Sequence, residues 1–161
     1  MRRTYFHLVM LLSLTCLPIQ AQARPGCEVV PKTIAGMQGC FRPLLVFSPS
    51  PTDPRLAHQA KLLDGDADDM MDRFVLYTPI APDPKAIAAP LDAPYTVLDP
   101  LQMQFIRSRF HIPQDRFTVL LLEENGTVML RSPAPVDPDH LNALIDQLPT
   151  RQQEMQRPHA N

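Results

Sequence analysis

Leu44-Leu45-Val46-Phe47 is a short, continuous apolar run bounded by prolines, Pro43 before it and Pro49 and Pro51 after it. A run of that length closed by turn formers fits a strand buried on both faces, as in a parallel sheet. Ser48 to Thr52 then turn the chain. Asp53 followed by Pro54 is a helix start, because Asp is a strong N-cap and proline is favoured at the first helical position. Arg42–Arg55 therefore reads as strand, tight turn and helix start. In open α/β sheets the crevice outside the carboxyl ends of such strands is where ligands bind.

The rest of the chain repeats this grammar. The first helix is expected from Pro54 to about Leu63, with Leu56, Ala60 and Leu63 on one face. Asp64-Gly65-Asp66 interrupts it, and a helical turn over Ala67–Asp72 is expected to point Met70 and Met71 inward. Arg73–Thr78 is the second strand. Residues 79–100 hold six prolines in 22 positions, too long for an ordinary loop of a compact domain. They read as a proline-stiffened, semi-extended insert with a short strand at Tyr95–Leu98, or as a lid. A second Asp-Pro pair at Asp99-Pro100 opens a helix to Phe110. Phe117–Leu122 is the third strand, Asn125-Gly126 a hairpin turn, and Thr127–Arg131 the fourth strand. The last helix covers Asp139–Leu148, with Leu141, Leu144, Ile145 and Leu148 at helical spacing. A polar tail follows.

The order β-α-β-α-β-β-α restricts the topology sharply. A βαβ unit in one sheet is a right-handed crossover between parallel strands, and the Asn-Gly hairpin adds an antiparallel pair. The simplest α/β solution is a four-stranded mixed sheet with helices on both faces, the core of the thioredoxin fold.

Residues 1–23 read as a cleavable signal peptide. Arg2 and Arg3 form a basic start, Tyr5–Leu17 an apolar run too short for a comfortable membrane span, and Ala21-Gln22-Ala23 a small-x-small cleavage site. The division expected is signal peptide 1–23, lead-in 24–41 with a short strand or turn at Cys27–Pro31, thioredoxin-like domain 42–149 carrying the insert 79–100, and polar tail 150–161. The signal takes two of the 15 basic residues, leaving 13 against 17 acidic ones, a net charge of −4. With no basic stripe, nucleic acid is not an expected partner, and no membrane association is expected after cleavage. The destination is periplasmic or secreted. Cys16 leaves with the signal, so Cys27 and Cys40 remain. An exported pair favours a disulfide; free thiols and a redox couple are the other readings.

The carboxyl third resembles the thioredoxin-like domain-of-unknown-function family numbered 4174. The resemblance is carried by Phe117-Thr118-Val119-Leu120-Leu121, Asn125-Gly126, Leu130-Arg131-Ser132 and Ile145-Asp146-Gln147-Leu148-Pro149 with Arg151, Glu154 and Met155. At the amino end it is carried by Phe47-Ser48-Pro49-Ser50 and Asp53-Pro54-Arg55. Thr150 and Gln152 depart from the family's closing motif, and the insert is longer than the family pattern. The resemblance implies a thioredoxin-like fold in an exported or secreted protein, and it supplies no activity.

A redox thioredoxin needs two cysteines at the start of the first helix, and a peroxiredoxin needs one, with an arginine in support. Here stand Ser50, Pro51, Thr52 and Asp53, and hydroxyls do not carry out thiol exchange. The cis-proline that thioredoxins place before the third strand falls at Phe117. Ser48, Ser50, Thr52, Asp53 and Arg55, with Arg116 before the third strand, remain as candidate ligand-binding residues. Helix amides and a guanidinium would hold a small anion or a peptide carboxylate. The competing reading is structural: Asp53 caps the helix, Ser and Thr satisfy turn amides, and Arg55 pairs with Asp53 or Asp99. The histidines are too scattered for zinc. Asp64, Asp66, Asp68 and Asp69 lack the glycine and glutamate of a calcium loop and read as a solvated acidic loop. No metal or cofactor is expected and no catalytic residue is assigned. The expected function is a non-enzymatic binding module for a small anion, a peptide or a periplasmic protein. The alternative is a thiol-dependent or peroxidase-like enzyme using Cys27 and Cys40.

Overall fold

The computed structural model describes residues 26–156; the signal-peptide assignment and His159 lie outside them. Four strands form one sheet in the order β2-β1-β3-β4, with β1 at Arg42–Phe47, β2 at Val75–Ile80, β3 at Thr118–Leu122 and β4 at Val128–Ser132. β1 runs parallel to β2 and antiparallel to β3, and β3 pairs antiparallel with β4. All six residues of β1 are buried, as the continuous apolar run requires of a central strand.

Helices cover both faces, as the alternation of side chains across a strand demands. On one face Leu44, Val46, Tyr77, Val119 and Leu121 pack with α2 (Pro54–Asp64), α3 (Ala67–Asp72) and α5 (Pro138–Asp146) through Leu56, Leu63, Met70, Leu141 and Ile145. On the other, Leu45, Phe47, Leu76 and Leu120 pack with α1 (Ile34–Met37) and α4 (Pro100–Arg109) through Ile34, Met37, Met103 and Ile106. This is the thioredoxin-like arrangement expected from the element order.

Several boundaries and orientations differ from expectation. Met70 is buried, but Met71 is 46% exposed; adjacent residues on a helix point about 100° apart, so only one can face the sheet. β2 begins at Val75 because Phe74, at φ +55°, turns the chain out of α3. Tyr95–Leu98 forms a single bridge from Tyr95 to Tyr77 instead of a strand. Cys27–Pro31 holds no strand; the lead-in contributes α1, whose Ile34 and Met37 join the core. Residues 149–155 are α6 and not a loose tail. The reason is ionic. Arg42, fully buried at the amino end of β1, donates to Glu154 at 2.9 Å and 3.3 Å and to Thr150 Oγ1 at 3.3 Å. Arg151 pairs with Asp72 and contacts Asp146 at 3.4 Å.

The proline-rich insert is a strap along the free edge of β2. Tyr77 N donates to Pro94 O and Thr96 N to Tyr77 O, both at 2.9 Å. The buried Thr96 hydroxyl donates to Pro31 O at 2.8 Å. The strap thereby caps an edge that would otherwise present unpaired backbone groups. Cys27 and Cys40 are joined by a disulfide, with Cα atoms 5.8 Å apart, which pins the lead-in to the chain entering β1.

Candidate functional site

β1 delivers Ser48 to the carboxyl edge of the sheet, where its backbone N–H continues the ladder to Ile80 O at 2.9 Å. Ser48 is fully buried, and its hydroxyl donates to Ser50 O at 2.7 Å. Ser50 and Thr52 share a hydroxyl–hydroxyl bond of 2.9 Å, and Thr52 N donates to Ser50 Oγ at 3.2 Å. Asp53 caps α2: its Oδ1 accepts from Arg55 N at 2.9 Å. The same carboxylate takes the Arg55 guanidinium side-on, Nε to Oδ1 at 3.0 Å and Nη2 to Oδ2 at 2.6 Å. This hydrogen-bonded pairing holds the Asp53 carboxyl below its ordinary range and raises Arg55. Arg55 also lies 4.8 Å over the Phe117 ring, a cation–π contact just before β3.

Ser48, Ser50, Thr52, Asp53 and Arg55 are thus brought together, and they satisfy one another. Arg116 does not join them. It is exposed, and among the described residues its side chain makes no hydrogen bond or ion pair. The arginine that does reach this edge is Arg107 of α4. Its Nη2 donates to Ser48 O at 3.1 Å and Ile80 O at 3.2 Å, its Nη1 to Pro113 O at 2.9 Å, and it sits 5.4 Å over Phe47. Burial lowers its pKa. Sequence reading passed over Arg107 because its partners are carbonyls, which leave no trace in residue identity.

Beside the turn is an open groove of about 190 Å³ between α2 and the strap. Pro51, Leu56, Ala57 and Ala60 line one side, Ile87 to Pro90 the other, and Tyr77 lies between them. Tyr77 is fully buried, and its hydroxyl has no hydrogen-bond partner. Burial, reinforced by the charge of Asp64, pushes that hydroxyl's pKa up, so it remains a donor at neutral pH.

The acidic loop has structural work. Asp64 Oδ1 accepts from three consecutive strap amides, Leu91, Asp92 and Ala93, at 2.9, 3.0 and 3.1 Å. Asp66 accepts from Asn142 at 3.0 Å, although burial raises its pKa. Among the described residues no group of three or more His, Cys, Asp or Glu is placed to hold a metal ion.

The family model described as domain of unknown function (DUF4174) matches residues 33–154. The chain belongs to this family. The DUF4174 match spans β1, the turn, the strap and α6, and stops short of Cys27. No curated protein matches the chain. Among solved structures, it is similar to thioredoxin peroxidase I of Plasmodium yoelii, at 16% identity and a TM-score of 0.54 over 79% of this chain and 83% of that one. It is similar to a 2-Cys peroxiredoxin of Plasmodium vivax, at 16% identity and a TM-score of 0.54 over 74% and 83%. It also resembles the exposed lipoprotein thioredoxin of Streptococcus pneumoniae, at 13% identity and a TM-score of 0.52 over 71% and 90%. At these identities the likeness is one of fold.

Proposed function

We propose that this DUF4174 protein is an exported, non-catalytic binding module whose surface is the Ser48–Arg55 turn with the strap beside it. One observation carries the reading. Where thiol-dependent proteins of this fold need a cysteine, the turn holds Ser48, Ser50, Thr52 and Asp53, each already bonded within the turn. The Cys27–Cys40 disulfide lies beyond the other end of β1, and the six residues of that strand alone span about 20 Å. A small anion meets a guanidinium whose charge Asp53 already offsets, whereas a peptide or a periplasmic protein can use the open groove beside that pair.

The test has two arms. Purified protein is assayed for peroxide consumption with a dithiol reductant and for reduction of insulin disulfides. Rates at the no-protein background are expected, and turnover above it would refute the reading. Binding is then followed to a partner isolated from periplasmic extract. The Asp53→Ala/Arg55→Ala double variant should lose that partner; equal binding would make the turn structural only. Export is tested by mass spectrometry of the fractionated protein, with Arg24 as the expected first residue.

A second reading, a thiol-dependent redox enzyme using Cys27 and Cys40, is favoured by the partial exposure of both cysteines and by the similarity to a thioredoxin peroxidase. Thiol titration with and without reductant separates the two. A pair that cycles with peroxide belongs to the enzyme; one that stays oxidised belongs to the scaffold.

A further inference from the structure

We propose that Arg107 binds a carboxylate monoanion, the free carboxyl terminus of a peptide or a small carboxylic acid, at the carboxyl edge of β1 and β2. This inference rests on the binding reading above and names the chemical group that the Ser48 end of that surface selects.

The first observation is a missing counter-charge. Among the described residues, every other buried or half-buried arginine meets a carboxylate. Arg42 meets Glu154 at 2.9 Å, Arg73 meets Asp146 at 2.9 Å, and Arg151 meets Asp72. Even the more exposed Arg55 has Asp53 at 2.6 Å. Arg107 is half-buried and meets carbonyls only. Carbonyl oxygens satisfy its N–H groups but bring no net charge, and a partly desolvated cation without a counter-charge is costly. Burial accordingly lowers its pKa, with no carboxylate opposing the shift.

The second observation is the donors left over. Of the five guanidinium N–H groups, Nη2 commits two, to Ser48 O and Ile80 O, and Nη1 commits one, to Pro113 O. Nε–H and one Nη1–H remain, and Nε keeps access to solvent. The bonds to Ser48 and Ile80 hold this guanidinium at the carboxyl ends of the parallel strands β1 and β2, where open α/β sheets take their ligands.

The surroundings set the charge of the ligand. Guanidinium N–H groups match the planar geometry of a carboxylate. Arg116 N donates to the same Pro113 O, at 3.2 Å, closing a turn whose exposed Asp115 and Arg116 side chains offset each other in charge. One uncompensated guanidinium with two spare donors suits a single negative charge better than a phosphate dianion.

The test uses the full chain and four probes: acetyl-Ala-Leu-Ala with a free carboxyl terminus, the same peptide as its amide, sodium acetate and inorganic phosphate. Binding is followed by the Arg107 Nε–H and Ser50 amide resonances. The acid peptide should move both and bind about tenfold more tightly than the amide. Acetate that matches the acid peptide assigns the site to small carboxylic acids, and a stronger response to the peptide assigns it to a chain terminus; either result supports the proposal. Equal binding of acid and amide, or phosphate binding more tightly than both carboxylates, overturns it. Arg107→Gln removes the charge and should bring acid and amide to equal affinity, and a folded variant that still prefers the acid overturns the assignment to Arg107. Should that variant not fold, the acid and amide comparison on the wild-type chain decides. If no probe moves the Arg107 resonance, the guanidinium only ties β1 and β2 to the Pro113 turn. The binding reading is then judged separately, by whether Asp53→Ala/Arg55→Ala loses its partner.

Discussion

Arg42 and Glu154 lie 112 residues apart and meet at 2.9 Å, the arginine fully buried and the glutamate side chain 12% exposed. Their bond docks α6 against the amino end of β1, on the opposite edge of the sheet from the Ser48–Arg55 turn. Glu124 at 3.2 Å and the Arg73 carbonyl at 2.7 Å complete the arginine's surroundings. Removing one partner of a buried pair strands the other's charge. Arg42→Ala should therefore cost about 3–5 kcal/mol in urea unfolding. Glu154→Gln should cost less, because Glu124 still faces the guanidinium. Equal losses would show that Glu124 gives no compensation.

The Asp53–Arg55 pair predicts an acid limb. The folded-state pKa of Asp53 lies below its ordinary value, so its contribution is complete above the unfolded value of about 3.9 and is lost as pH falls through the folded value. Asp146, lowered chiefly by its hydrogen bonds from Arg73, acts in the same direction. Asp66 is raised by burial and acts oppositely, favouring the fold more once protonated. Melting temperature should hold near neutrality and fall below about pH 4. The deficit of Asp53→Asn relative to wild type should shrink through that window. A deficit constant from pH 7 to pH 2 would separate the aspartate's contribution from its charge.

How much of this could be read from residue order depends on the range of the interaction. Asp53 as cap, Asn125-Gly126 as hairpin and Leu44–Phe47 as buried strand are local signals, and each forms as its chemistry directs. Gly126 takes φ +86°, and Thr127 N donates to Asn125 Oδ1 at 2.8 Å. The Arg55 pairing with Asp53 was legible for the same reason. Arg107 and α6 were not. Arg107 is held by carbonyls, two of them at the distant Ser48 and Ile80, and α6 is held by ion pairs, which hydropathy periodicity does not register. Arg116 stands just before β3 in sequence, and its exposed side chain bonds to none of the turn residues. The groove escaped sequence reading because its floor is a tyrosine on β2 and its wall lies in a proline-rich strap with no periodicity of its own.

The Cys27–Cys40 disulfide predicts a purely structural phenotype. Closing a loop of this length is worth roughly 2–3 kcal/mol through restriction of the unfolded chain. Cys27→Ser/Cys40→Ser should lower stability by about that amount in urea unfolding and leave peptide binding at the groove unchanged. Loss of peptide binding in the folded double variant would couple the lead-in to the groove through the Thr96–Pro31 bond.

Asp64 is the strap's anchor, one carboxylate oxygen accepting three consecutive amides. Its pKa is lowered by those three bonds, which outweigh the opposing effect of burial, so the anchor stays charged at neutral pH. Asp64→Ala removes all three acceptors at once, while Thr96 and the Tyr77–Tyr95 bridge still fasten the strap's far end. The release should be local, as expected where protection resides in a few surface bonds. Amide hydrogen exchange at Leu91, Asp92 and Ala93 should accelerate by about tenfold or more, with β1 and β3 amides unchanged. Asp64→Asn keeps a neutral acceptor at the same atom and should give an intermediate rate. If exchange at 91–93 does not respond to either variant, the strap is held by Ile87 and the β2 edge alone, and Asp64 is an ordinary solvated carboxylate.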